Sequence, residues 1–226
     1  MLIKIPQVLT PQQVKDCREA LVSAQWEDGK KTAGYLAQKV KANLQLPVDS
    51  SIAQQLGDFL LHILHNNPTY VSAVLPVKVL PPRFNCYQGG GTYGNHIDNA
   101  IFPIVGTAER LRTDVSSTLF LSDAEEYEGG ELIIEDTYGS QSIKLNAGDM
   151  VVYPGTSLHR VNPVTKGRRL ASFFWAQSMV RQAHKRSILW DLDQSIQAIA
   201  ADDVDDPHLT KLSGVYHNLL REWAEI

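Results

Sequence analysis

The chain has 226 residues, 43% of them hydrophobic and 20% charged, enough for one sizeable folded core with room for helical additions. Its formal net charge of −4 speaks against a general nucleic-acid binder, which needs a concentrated basic surface; Lys166, Arg168 and Arg169 form only a short cluster. The only cysteines, Cys17 and Cys86, make no CxxC pair, no zinc-type spacing and no disulfide framework, which suits a reducing compartment. Met1 to Gln13 lacks the basic stretch and apolar run of a signal peptide, and no segment approaches the roughly 20 apolar residues that cross a bilayer. A soluble cytoplasmic protein with no membrane contact is expected.

Three zones follow in chain order. Residues 1–77 read as a helical support region. Thr10-Pro11-Gln12-Gln13 is a capping-box helix start, and Val14, Cys17, Leu21 and Ala24 then recur at helical spacing. The pattern predicts a second helix over Ser51 to His65, with Ile52, Leu56, Phe59, Leu60 and Ile63 as its stripe and Asn66-Asn67-Pro68 as its end. Residues 78–178 change character. Strands are predicted near Val79–Tyr87, Ser116–Ser122, Glu131–Glu135, Gln141–Leu145, Asp149–Tyr153 and Arg168–Gln177. Turn signals separate them, among them Gln88-Gly89-Gly90-Gly91, Glu128-Gly129-Gly130, Tyr138-Gly139-Ser140, Ala147-Gly148 and Pro154-Gly155. Short strands without intervening helices predict a mainly β sandwich or barrel. Residues 179–226 return to helix: Ile188, Leu189, Leu192, Ile196 and Ile199 form one amphipathic pattern. Asp202 to Pro207 breaks it, and Leu212, Val215, Tyr216, Leu219, Leu220 and Trp223 form another. The terminal helices can cover the sheet and can also build a homo-oligomer contact.

His96-Ile97-Asp98, answered much later by His159 and then by Arg169, is the constellation that carries chemistry. In an extended segment residues i and i+2 point the same way, so His96 and Asp98 can face one ion. Two imidazoles and one carboxylate occupy one face of an octahedral Fe(II) ion and leave positions open for a co-substrate and oxygen. H-x-D alone is a common chance pattern. Here it follows Tyr87, Gly90 and Tyr93, and the glycines allow close backbone approach to a ligand. His159 follows the strand Gly148 to Tyr153 and the Pro154-Gly155 turn, which can aim it inward. Arg169 opens the apolar run Leu170 to Trp175, so its base sits partly in the core and its cation needs an anion there. A planar guanidinium matches a carboxylate, and the far carboxylate of 2-oxoglutarate is the fitting one. Arg168 is the rival, placed on the opposite face by strand alternation.

With these residues in view, the chain resembles the bacterial PKHD-type hydroxylases, a branch of the prolyl 4-hydroxylase-like Fe(II)/2-oxoglutarate dioxygenases. The resemblance rests on Phe84-Asn85-Cys86-Tyr87 with Gly90 and Tyr93, on His96-Ile97-Asp98, and on Tyr127 to Leu132. Gly148 to Pro154, His159-Arg160-Val161 and Arg169 to Trp175 complete it. It implies a double-stranded β-helix (jelly-roll) core over residues 78–178, with iron on His96, Asp98 and His159 and 2-oxoglutarate on Arg169. It also implies hydroxylation of a small-molecule or peptide substrate with O2, coupled to decarboxylation of 2-oxoglutarate to succinate. L-ascorbate is implied as reductant, and a link to iron homeostasis with a siderophore-related substrate. Collagen-type prolyl hydroxylases carry Lys where this chain has Arg169, which weakens any inference that proline is the substrate.

Secondary candidates remain. Tyr87 and Tyr93 can hydrogen-bond the co-substrate or line the pocket, with core packing as the alternative. Asn95 and Asn99 flank the ligands and serve either as supports or as turn residues. Asn99 to Thr113 has few strand signals and reads as a substrate lid or a solvated connection. His62 and His65 lie three apart on a helix without further ligands. Glu128-Gly129-Gly130-Glu131 reads as a simple strand-linking turn. A non-catalytic metal-binding or 2-oxoglutarate-sensing module on the same barrel, and a zinc or manganese centre in the same triad, are the competing readings.

Overall fold

Thr10 opens the first helix as its side chain requires. Its Oγ1 accepts from the Gln13 amide (3.3 Å), and the Gln13 side chain accepts from the Thr10 amide (2.8 Å). The structure is a computed structural model that describes all residues except 33, 105 and 138. Tyr138 of the expected Tyr138-Gly139-Ser140 turn, and residue 105 within the Asn99 to Thr113 segment, therefore lie outside the described residues. The helices are α1 (Pro11–Val22), α2 (Ser51–His65), α3 (Pro68–Val74), α4 (Ala183–Asp202) and α5 (His208–Trp223). Asn66 is the C-cap of α2, and Asn67 belongs to the next element. Its side chain caps a further helix, α3, which begins at Pro68, where the missing N–H is no loss. Of the stripe expected on α2, Leu56 and Leu60 are buried, while Ile52, Phe59 and Ile63 pack more loosely against the same core. In the last zone only Arg186 and Leu189 of α4 and no residue of α5 are fully buried. Tyr216, Leu219, Leu220 and Trp223 lean on Leu75, Val180 and Leu189.

The strands are β1 (Ile3–Ile5), β2 (Glu27–Asp28), β3 (Lys41–Ala42), β4 (Leu44–Gln45), β5 (Pro76–Val79), β6 (Arg83–Gln88), β7 (Gly91–His96), β8 (Ile101–Pro103), β9 (Arg110–Arg112), β10 (Val115–Phe120), β11 (Tyr127–Gly129), β12 (Leu132–Asp136), β13 (Gly139–Ile143), β14 (Met150–Pro154) and β15 (His159–Ser178). Several corrections to the sequence reading follow. The run expected over Val79–Tyr87 is two strands, because Pro81 and Pro82 cannot donate to a ladder. The first zone is not only helical: β1 to β4 join the sheet, in runs of two or three residues too short to show a period. Asn99 to Thr113 is not strandless, since β8 and β9 pair as a hairpin with Phe102 opposite Leu111. The strand expected over Arg168–Gln177 begins nine residues earlier, at His159.

That long strand organises the fold. Its first part, from His159 to Val164, pairs with β12 and β7. Its later part, from Arg168, pairs with β6, β10 and β5. Register shifts lie at His159/Val161 and Val161/Val164, and Gly167 stands at the passage between the two parts with φ +76°. A Cβ on Gly167 would meet the Glu126 carbonyl oxygen at 2.1 Å, so the bend requires glycine twice over. Two curved layers result, joined by one strand, as in a double-stranded β-helix. One core cluster, including Leu21, Leu60, Phe84 and Phe174, packs α1 to α3 on the larger layer. A second, including Tyr87, Phe120, Leu132 and Val161, fills the space between the layers.

Leu60 is 1% exposed in the helix–sheet core, whereas Val22 is 77% exposed at the end of α1. Leu60→Ala is expected to lower stability by about 2–5 kcal/mol in urea unfolding. Val22→Ala should stay within about 0.5 kcal/mol.

Candidate metal centre and co-substrate pocket

β7 and β15 run antiparallel with His96 directly opposite His159, so two histidines 63 residues apart become cross-strand neighbours. Asp98 follows just past the end of β7. The three side chains offer ligand atoms that all lie within 4.8 Å of one another. The Asp98 carboxylate is 3.9 Å from His96 Nε2 and 3.8 Å from His159 Nε2. His96 Nδ1 lies 2.8 Å from the Gly94 carbonyl and His159 Nδ1 lies 3.0 Å from the Ser157 carbonyl. Each carbonyl accepts the Nδ1 proton, which leaves the Nε2 lone pairs free to converge. Ser116 donates from its hydroxyl to Asp98 Oδ2 at 2.7 Å and fixes that carboxylate. Tyr93 stacks on the His96 ring with centroids 3.5 Å apart, and Tyr153 meets His159 edge-on at 5.2 Å.

The electrostatics suit a cation at the point of convergence. Burial, then the neighbouring His159, pushes the His96 pKa down to about 4, so the ring is neutral and its lone pair available near pH 7. Burial raises Tyr93 as well, with Asp98 adding to it, so the phenol keeps its proton. Among the described residues no other group of three or more His, Cys, Asp or Glu side chains can hold an ion. His62 and His65 are exposed on α2.

Arg169 sits opposite Tyr87 across the β15–β6 ladder, and both are only 1% exposed. The guanidinium carbon lies 5.3 Å from the Tyr87 ring centre and 5.1 Å from that of Phe120. None of its three nitrogens has a hydrogen-bond partner among the described residues. A buried cation in that state calls for an anion. Arg168 is turned away: its Nε lies 3.0 Å from Cys86 Sγ and its guanidinium over Trp26. The two arginines therefore lie on opposite faces of β15, as strand alternation predicts.

One cavity, with about 810 Å³ of empty space including its open mouth, is lined by His96, Asp98, His159, Arg169, Tyr87 and Tyr93 together. Asn99 also reaches it, whereas Asn95 is exposed and accepts from Arg160 instead. Sequence reading missed other lining residues, notably Lys41, Arg83, Ser116 and Thr118. The only signal for Ser116 and Thr118 was a pair of hydroxyls two apart in a predicted strand, whose six residues are all buried in the structure. Lys41 and Arg83 gave none. Gly130 was also undervalued. Its φ is +69°, and a Cβ there would meet Val164 at 2.7 Å, Tyr127 at 2.9 Å and the Arg169 side chain at 3.1 Å. The turn is thus cut to let Arg169 lie flat beneath it.

The whole arrangement can hold a divalent ion beside a dicarboxylic acid, and comparison with known proteins agrees in kind. Residues 82–177 match the 2OG-Fe(II) oxygenase superfamily, and residues 184–225 match the PKHD-type hydroxylase C-terminal domain. The fold is shared with a Pseudomonas putida prolyl-4-hydroxylase at TM-score 0.53 and 18% identity, covering 78% of this chain and 92% of that one. It is shared too with HygX from Streptomyces hygroscopicus, solved with nickel and 2-oxoglutarate bound, at TM-score 0.52 and 15% identity over 78% of this chain and 82% of that one. The protein is therefore a 2-oxoglutarate- and Fe(II)-dependent oxygenase with a double-stranded β-helix core. More narrowly, it is 60% identical over the full length of both chains to a PKHD-type hydroxylase of Delftia acidovorans and 59% identical to one of Saccharophagus degradans, again over both full lengths. The chain belongs to the PKHD-type hydroxylases. No helix among the described residues is long and apolar enough to cross a membrane.

Gly130→Ala is expected to displace Arg169 and weaken 2-oxoglutarate binding by about tenfold or more, since about 1.4 kcal/mol is already a factor of ten. Isothermal titration with the manganese-loaded protein reads the change; unaltered affinity would separate the turn from the pocket.

Proposed function

We propose that His96, Asp98 and His159 hold the ferrous ion, and that Arg169 holds the far carboxylate of 2-oxoglutarate with Tyr87 beside it. The observation that carries this reading is the shared cavity: three convergent ligand atoms and one buried, unpartnered guanidinium open onto the same space. The donor set fits, because two imidazoles and a carboxylate leave three coordination positions open and include no thiolate. The guanidinium fits as well, because a carboxylate can take two of its N–H donors side by side.

When bound, the iron supplies the oxygen chemistry, coupling decarboxylation of 2-oxoglutarate to succinate with hydroxylation of a substrate C–H bond. The chain's own residues set the geometry. The Gly94 and Ser157 carbonyls hold the imidazoles in the Nδ1–H tautomer, and the Ser116 hydroxyl stops the Asp98 carboxylate from turning. Tyr93, stacked on His96, fixes that ring plane and walls the co-substrate's space. Phe120, Tyr87 and Tyr127 keep water from Arg169, so that its pairing with a carboxylate is strong. L-ascorbate as reductant, and a role tied to iron homeostasis, are part of this proposal and rest on the family relation alone.

His96→Ala and Asp98→Ala are each expected to abolish iron-dependent succinate formation, measured with 2-oxoglutarate under air; full activity in either would remove the triad. Arg169→Ala should raise the KM for 2-oxoglutarate by about 30-fold or more, as a truncated buried charge pair costs about 2–5 kcal/mol. An unchanged KM would place the co-substrate elsewhere.

A further inference from the structure

β6 turns Arg83, Asn85 and Tyr87 toward the cavity at the two-residue period of a strand. Tyr87 stands opposite Arg169, and Arg83 stands opposite Phe173, four residues along the strand and so roughly 13 Å away. The two guanidiniums therefore serve different parts of the cavity. In the reading above, on which this inference rests, Arg169 engages the far carboxylate of 2-oxoglutarate, and the near one would belong to the ferrous ion. Neither is left for Arg83.

Arg83 nevertheless lacks a counter-charge. Its guanidinium carbon lies 5.3 Å from the ring centre of Phe102 and 5.4 Å from that of Trp175. No carboxylate pairs with it among the described residues. The rings meet the faces of the guanidinium, but they cannot accept its in-plane N–H donors. Phe102 comes from the β8–β9 hairpin and stacks on Trp175 with centroids 4.5 Å apart, so the hairpin and β15 together frame the cation.

The charge balance of the cavity points the same way. Its described lining holds three cations, Lys41, Arg83 and Arg169, against one carboxylate, Asp98. Ferrous iron and doubly charged 2-oxoglutarate cancel one another, which leaves two positive charges unmatched. Lys41 donates to Gln45 Oε1 at 3.1 Å and Thr32 Oγ1 at 3.3 Å, and neither acceptor is charged. A low-dielectric cavity with this excess favours a negatively charged guest.

We propose that Arg83, framed by Phe102 and Trp175, binds a carboxylate of the primary substrate, and that this substrate is a small organic acid. Its apolar part packs on Phe102, Phe173 and Trp175, while Lys41 adds to the positive field.

Benzoate and its neutral counterpart benzamide are the probes, titrated into protein loaded with manganese and saturating 2-oxoglutarate without oxygen. Benzoate is expected to bind at least about tenfold more tightly than benzamide. Arg83→Gln should remove that preference, and Arg83→Lys, which keeps the charge, should restore most of it. Equal binding of the two probes, absence of benzoate binding, or an undiminished preference in Arg83→Gln overturns the proposal. Failure of the wild-type protein to bind 2-oxoglutarate in the preceding titration is a separate result: it overturns the reading of the pocket on which the proposal rests.

Discussion

A guanidinium enclosed by protein with no anion to meet it is the constraint around which the rest of this fold is arranged. Arg169 is 1% exposed, and none of its nitrogens is hydrogen-bonded among the described residues. Desolvating such a charge is expensive, and a structure keeps it only where a ligand completes it. Aromatic faces of Tyr87 and Phe120 soften the penalty without removing it. In the proposed reading, co-substrate binding supplies the missing partner, and affinity for a dicarboxylate follows from the fold itself.

The proposed metal centre follows the opposite logic. Its ligands are held before any ion arrives: each Nδ1 is tied to a backbone carbonyl, Asp98 to Ser116, and His96 to the face of Tyr93. Such prior orientation reduces what binding must spend on ordering side chains. The two sites differ because their chemistry differs. An imidazole can shed its charge on burial, whereas a guanidinium cannot.

One strand links them. β15 contributes His159 to the layer it shares with β7 and Arg169 to the layer it shares with β6. A straight strand would set residues ten apart at about 33 Å. The register shifts and the bend at Gly167 are what let both ends line one cavity. The same bend explains why the C-terminal portion of the strand, with Phe173 and Trp175, becomes the aromatic wall of that cavity rather than more of its floor.

The sequence by itself determined the local pieces and pointed to the residues proposed to carry the chemistry. The H-x-D pair, the later His159 and Arg169, the Thr10 capping box and the α2 stripe are all local patterns, readable because helix and strand periods act over a few residues. Alternation even separated Arg169 from Arg168. The short strands β1 to β4, the α3 helix after Asn67, the β8–β9 hairpin and the full reach of β15 were not legible, since runs this short, or bent like β15, carry no period of their own. Tertiary structure alone decided that Lys41 and Arg83 enter the pocket, that Ser116 steadies Asp98, and that Gly130 makes room for Arg169. Those facts depend on which strands become neighbours, and pairing between segments far apart in the chain leaves no trace in local spacing.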